Sequence, residues 1–146
     1  MWSMAAPNLI LRVPPQSDFC RVARERIVAF ARSEGVSDDD IAYLVTAIGE
    51  ALANAIEHAN SAAPVQIDVR IGKDRVVALV RDAGVGFAGE PGVPPDLPDC
   101  DAERGRGLAI MRRCSDIFSI DSLRGKGTAV TIGRYRRSPA VCNSVA

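Results

Sequence analysis

One stretch of this chain combines residue types and a spacing that suit chemistry. It reads Glu50-Ala-Leu-Ala-Asn54-Ala-Ile-Glu-His58. A helix turns about 100° per residue, so Glu50 and Asn54 fall on one face, one turn apart. A carboxylate there can accept a proton from a reacting hydroxyl, with an amide beside it. Ile41, Leu44, Val45, Ile48, Leu52, Ala55 and Ile56 form an apolar stripe at helical spacing, with Glu50, Asn54 and Glu57 on the opposite side. Taken alone, such a pair reads as a solvated polar face.

Two further clusters change that reading. Asp82 ends an apolar run and is followed by Gly84 and Gly86. A strand-end carboxylate can accept hydrogen bonds from an adenine amino group, and glycines beside it let the backbone approach the ring. A charged hydrogen bond of this kind is worth about 1.5–3 kcal/mol. The competing reading is an Asp-x-Gly turn. Gly105-Arg106-Gly107 stands where a helical period resumes. Backbone N–H groups at a helix start bind phosphate, and Arg104 and Arg106 can add charge there. The competing reading is a flexible linker.

Familiar nucleotide fingerprints do not account for these glycines. Gly84-Val-Gly86-Phe-Ala-Gly89 has G-x-G-x-x-G spacing after a strand, but Glu90-Pro91-Gly92-Val93-Pro94-Pro95 cannot open the helix that a dinucleotide fold requires. Gly125-Lys126-Gly127-Thr128 lacks the first glycine of a P-loop and reads as a hairpin turn. The kinase catalytic-loop and D-F-G signatures are missing.

Composition narrows the class. The 146 residues suffice for one domain with a core, and 47% are hydrophobic, which excludes a disordered chain. Eighteen basic residues balance 18 acidic ones, so no nucleic-acid footprint is expected. The Arg134-Tyr135-Arg136-Arg137 cluster reads as a solvated strand end. No apolar run approaches the roughly 20 residues of a membrane span, and no signal peptide is expected. The cysteines at 20, 100, 114 and 142 form no Cys-x-x-Cys pair, and the chain has one histidine, so free thiols in a reducing cytoplasm are expected rather than zinc.

The elements that position the clusters follow from periodicity. Residues 1–7 and 138–146 read as flexible termini around a domain spanning 8–135. Asn8 to Val13 reads as a strand stopped by Pro14-Pro15. A helix over about 17–33 follows, with Ser17 as N-cap, Phe19, Val22, Ala23, Ile27 and Phe30 as its stripe, and Gly35 at its end. Ser37 and Asp40 make a capping box for the helix that carries Glu50 and ends near 59–61. Val65, Ile67, Val69 and Ile71 alternate as a strand, and a turn at 72–74 leads to a second strand, 75–82, paired antiparallel. A Gly/Pro-rich loop fills 83–104, a third helix covers about 107–114, and two last strands cover 116–122 and 128–135.

In order, the boxes are Glu50-x-x-x-Asn54, Asp82-x-Gly84-x-Gly86, the loop, Gly105-x-Gly107 and Gly127-Thr128. This order resembles the GHKL ATPase superfamily over about residues 8–135, and within it the anti-sigma factor serine kinases of bacterial partner switching. The Glu-x-x-x-Asn-Ala-x-x-His spelling of Glu50, Asn54 and His58 is similar to theirs. The resemblance implies an α/β (α+β) two-layer sandwich, with a mixed, mainly antiparallel sheet and helices on one face. It implies ATP and Mg²⁺ as cofactors, Asn54 as the Mg²⁺ ligand, Asp82 reading adenine with help from Thr128, and 87–104 as the ATP lid. Glu50 is the expected base. Gly84, Gly86, Arg104, Gly105, Arg106 and Gly107 are expected against the nucleotide, with the choice between the two arginines open. His58 is expected in a structural role.

The function so implied is ATP-dependent serine/threonine kinase activity on an anti-anti-sigma factor, with sequestration of a sigma factor, in the cytoplasm. Homodimerisation is expected on the same ground. Two other classes remain open in the sequence: a nucleotide-dependent binding module without transfer, and a stand-alone histidine-kinase-type ATPase domain. Glu50 favours the kinase, because a pure binder needs no base there.

Overall fold

In the structure, a computed structural model, residues 7–58, 62–83, 102–123 and 127–137 are described. The alternating stretches become strands: β1 (Asn8–Val13), β2 (Val65–Ile71), β3 (Arg75–Arg81), β4 (Ile117–Leu123) and β5 (Gly127–Tyr135). The helices are α1 (Cys20–Ser33), α2 (Asp38–His58) and α3 (Ala102–Arg113). The strands form one sheet in the order β1-β2-β3-β5-β4, and every neighbouring pair is antiparallel. The sheet, expected as mixed and mainly antiparallel, is wholly antiparallel among the described strands.

Strand register explains where the core sits. Leu11, Ile67, Val80, Val130 and Ile120 are cross-strand partners in one row, and all five are buried. They join the helix residues Ile27, Ala31, Leu44, Ile48 and Leu52 in one cluster, so the helices cover a single face. Burying each such side chain contributes about 1.5–3 kcal/mol.

The first helix departs from expectation at its start. Residues Ser17–Phe19 form a 3-10 turn, Phe19 is the N-cap position of α1, and no side chain caps it. Ser17 is therefore not the cap. Ala23, Ile27 and Ala31 make the buried stripe of α1, whereas Phe19 is 41% and Val22 52% exposed. Gly35 ends the helix with φ +77°, a backbone region that favours glycine.

The second helix starts as its sequence indicates. The Asp40 N–H donates to Ser37 Oγ at 3.2 Å, and the Ser37 hydroxyl donates back to Asp40 Oδ2 at 3.0 Å. Asp40 is itself buried, against Arg134. Arg134 Nε donates to Asp40 Oδ1 at 3.1 Å, and Arg134 Nη1 donates to the Cys114 carbonyl at 3.0 Å. The guanidinium also lies 4.3 Å from the centre of the Tyr43 ring. Arg136 donates to the carbonyls of Gly72 and Glu34. The arginine cluster expected as a solvated strand end is thus corrected: two of its members are structural donors, and Arg134 is only 4% exposed. The physical reason is the carbonyls of helix and turn ends, which have no partner within their own elements.

The third helix also differs. It begins at Ala102, not near 107, so it takes in the last residues of the expected loop and lid. The remainder of that loop, 84–101, lies outside the described residues, as do the flexible termini expected at 138–146 and over most of 1–7.

Candidate functional site

Helices α2 and α3 are tied at both ends. At one end Arg134 joins Asp40, near the start of α2, to Cys114, just past the end of α3. Towards the other end, Gly107 of α3 is buried against Glu50 and Asn54 of α2. The two helices therefore run antiparallel. A Cβ on Gly107 would stand 3.1 Å from Glu50 Oε2 and 3.7 Å from both Asn54 Oδ1 and Nδ2. A side chain at 107 would fit only if the Glu50 carboxylate gave way by a few tenths of an ångström. Glu50 and Asn54 are half-buried, so they are not the solvated face that their spacing alone suggests.

That arrangement corrects the expected phosphate loop. Gly105 and Gly107 lie inside α3 rather than ahead of it. In a continuous helix from Ala102, the Gly107 N–H falls beyond the first four free donors. Locally the glycines suit a helix start rather than its interior, since glycine is about 1 kcal/mol worse than alanine there. Contact with α2 outweighs that cost at Gly107. Arg104 and Arg106 lie on the same helix, and the Arg106 side chain is exposed.

A second polar cluster lies on the sheet. One row beyond Val80, Val130 and Ile120, the inward positions of the same three strands are Asp82, Thr128 and Ser122. The Asp82 N–H donates to the Thr128 carbonyl at 2.9 Å, which carries the β3–β5 ladder one residue past the end of β3. The Thr128 N–H donates to Asp82 Oδ1 at 3.3 Å. Thr128 Oγ1 and Ser122 Oγ are 3.3 Å apart. A polar strip therefore continues the apolar row where the sheet ends. Gly127 makes it possible: its φ is +87°, and a Cβ there would overlap the Asp82 carbonyl.

The structure thus brings Glu50 and Asn54 together with α3, and Asp82 together with Thr128. Gly84 and Gly86 lie outside the described residues. His58 ends α2. Ser122, beside Thr128, is not among the expected residues, whereas Gly127 belongs to the Gly127-Thr128 box. The signal for Ser122 was its place two residues after Ile120, on the same strand face.

The distant pinning point has its own electrostatics. Burial by itself raises the Asp40 carboxyl. Donation from the Arg137 N–H, the Ser37 hydroxyl and the Arg134 guanidinium outweighs it and holds Asp40 below the ordinary carboxylate range.

A model of the histidine kinase-like ATPase domain matches residues 13–134, which span both the helix pair and the polar strip. The chain belongs to this family. Among curated relatives, this chain is 29% identical over 139 residues to the serine-protein kinase RsbW of Bacillus velezensis, with 88% of this chain and 87% of the relative covered. It is 35% identical over 129 residues to the anti-sigma F factor of a Geobacillus species, covering 83% of this chain and 88% of that one. It is 31% identical to the anti-sigma F factor of Clostridium beijerinckii over 75% of this chain and 81% of the relative. Its fold is similar to a solved Mycobacterium tuberculosis structure of RsbU and RsbW domains, with a TM-score of 0.69 and 22% identity. That alignment takes in 90% of this chain and 33% of the other, so the chain spans about one third of that solved chain's length. The family fold is the expected α+β sandwich. No helix among the described residues is long and apolar enough to cross a membrane.

Proposed function

We propose that this ATPase-family domain is an ATP-dependent serine/threonine kinase that phosphorylates an anti-anti-sigma partner and sequesters a sigma factor. The observation that carries the reading is the contact of Glu50 and Asn54 with the α3 backbone at Gly107. It sets a carboxylate and an amide side by side, half-buried, one turn apart on α2. The relatives named as a serine-protein kinase and as anti-sigma factors support the choice of substrate class.

The residues suit an adenine nucleotide with Mg²⁺. Asp82 offers an acceptor for an exocyclic amine, on a backbone tied to Thr128. Asn54 Oδ1 is the hard oxygen that a Mg²⁺ ion prefers. Bound Mg²⁺ supplies charge neutralisation at the phosphates. Glu50 orients the attacking serine hydroxyl and takes its proton as the oxygen bonds to the γ-phosphorus, with ADP as the leaving group. Arg106, exposed on α3, can add positive charge where the phosphates lie. A cytoplasmic homodimer is the working form we infer from the resemblance.

Labelled ATP tests the reading. The protein is incubated with Mg²⁺ and with candidate anti-anti-sigma proteins, and label on a partner serine or threonine is mapped. Transfer of label to the partner is expected. Tight partner binding without any label identifies a binding module instead, and label on a histidine identifies a histidine kinase-type domain.

A further inference from the structure

The inward face of the sheet changes character at one row. Val80, Val130 and Ile120 are apolar and buried, and the next inward positions are Asp82, Thr128 and Ser122. Asp82 and Thr128 have roles in the reading above. Ser122 has none, yet its hydroxyl stands 3.3 Å from Thr128 Oγ1. The two residues are direct cross-strand partners on β4 and β5, so strand register fixes their separation.

A hydroxyl carries one proton and two lone pairs, so the Thr128 hydroxyl can present either polarity to a ligand. Adenine and hypoxanthine differ in polarity along one edge. Adenine offers an amine donor at position 6 and an acceptor at ring position 1. Hypoxanthine offers an oxygen acceptor and an N–H donor at those places. A site that reads adenine with Asp82 as acceptor therefore needs Thr128 to act as donor. Thr128 does so when its oxygen already accepts a proton from Ser122.

We propose that Ser122 is a specificity-determining positioning residue: by donating to Thr128 Oγ1 it orients the Thr128 hydroxyl as a donor toward adenine, beside the Asp82 acceptor. This rests on the adenine-nucleotide reading above. Without the Ser122 hydroxyl, Thr128 can turn and accept from a ring N–H, and the base edge is read with less discrimination. A site built to hydrogen-bond one pattern rejects its reverse by leaving polar groups unpaired.

The test compares ADP with inosine diphosphate, which share sugar and phosphates. Affinities are measured by calorimetry with Mg²⁺ for the wild type, Ser122→Ala and Ser122→Thr, alongside thermal melts. The wild type is expected to prefer ADP. Ser122→Ala should bind ADP about 3- to 10-fold more weakly, the size of one hydrogen bond, and its ADP preference should shrink by a similar factor. Ser122→Thr keeps the hydroxyl and should keep the preference. A general structural role would weaken both nucleotides alike, so an unchanged ADP preference in Ser122→Ala overturns the proposal. Loss of the preference in Ser122→Thr equal to that in Ser122→Ala also overturns it. If the wild type binds neither nucleotide, the adenine reading itself falls, which is a separate result.

Discussion

Gly107 and Glu50 touch through the space of a missing side chain, since a Cβ on Gly107 would lie 3.1 Å from Glu50 Oε2. Two effects of opposite sign follow for Gly107→Ala. The helix gains up to about 1 kcal/mol of propensity, because alanine costs less backbone entropy. The added methyl group pushes the Glu50 carboxylate aside by a few tenths of an ångström. Thermal stability is therefore expected to hold or rise while phosphoryl transfer falls, by about tenfold or more. Parallel melts and transfer assays check this, and a variant that is both less stable and fully active would contradict it.

Glu50→Gln separates chemistry from binding. The amide keeps size and hydrogen bonding but cannot take the proton. Nucleotide and partner affinities are expected to stay near those of the wild type, while transfer drops by roughly 10²–10⁴-fold. Single-turnover transfer measured beside calorimetry makes the distinction. Wild-type transfer in this variant would leave Glu50 as a packing carboxylate against α3.

Asn54→Ala should behave differently. Removing the amide oxygen takes away the proposed Mg²⁺ ligand, so the increase in nucleotide affinity on adding Mg²⁺ should disappear. Titrations with ADP at zero and millimolar Mg²⁺ report this directly. An undiminished Mg²⁺ effect would move the ligand elsewhere.

The pair Asp40 and Arg134 predicts a pH-dependent stability. The folded protein holds the Asp40 carboxyl below its ordinary value, so its contribution is present above the unfolded carboxylate value of about 3.9. It is lost as pH falls through the depressed folded value. Asp40→Asn leaves Arg134 buried without its counter-charge and should cost about 3–5 kcal/mol near neutral pH. That difference from the wild type should narrow in acid. Urea unfolding at neutral pH and below pH ~3.5 tests both parts. A variant as stable as the wild type at neutral pH would mean that the ring of Tyr43 and the Cys114 carbonyl suffice for Arg134.

Gly127→Ala should be poorly tolerated. Its backbone lies at φ +87°, and a Cβ would overlap the Asp82 carbonyl. Strain at such a position costs on the order of 1–3 kcal/mol before the overlap is counted. The expected result is lower stability together with weaker nucleotide binding, because the same backbone carries Asp82 and Thr128. Binding that survives at full strength would separate the turn from the site.

The sequence by itself determined the order of elements, the α+β class and the family boxes. It could do so because period 3.6 and period 2 are local properties: the stripe from Ile41 to Ala55 and the alternation from Val65 to Ile71 are complete within their own segments. The pairing of Glu50 with Asn54 was legible for the same reason. What only the tertiary structure decided depends on contacts between distant segments. Glycines at 105 and 107 read locally as a helix start, yet α3 begins at Ala102 and Gly107 packs on Glu50. Arg134 reads locally as a strand-end cation, yet it is buried where Asp40, 94 residues earlier, supplies its counter-charge. Period 2 puts Ser122 on the face of Ile120, but only strand register sets it opposite Thr128. In each case a short-range preference worth about 1 kcal/mol or less was outweighed by packing or charge pairing that no local window contains.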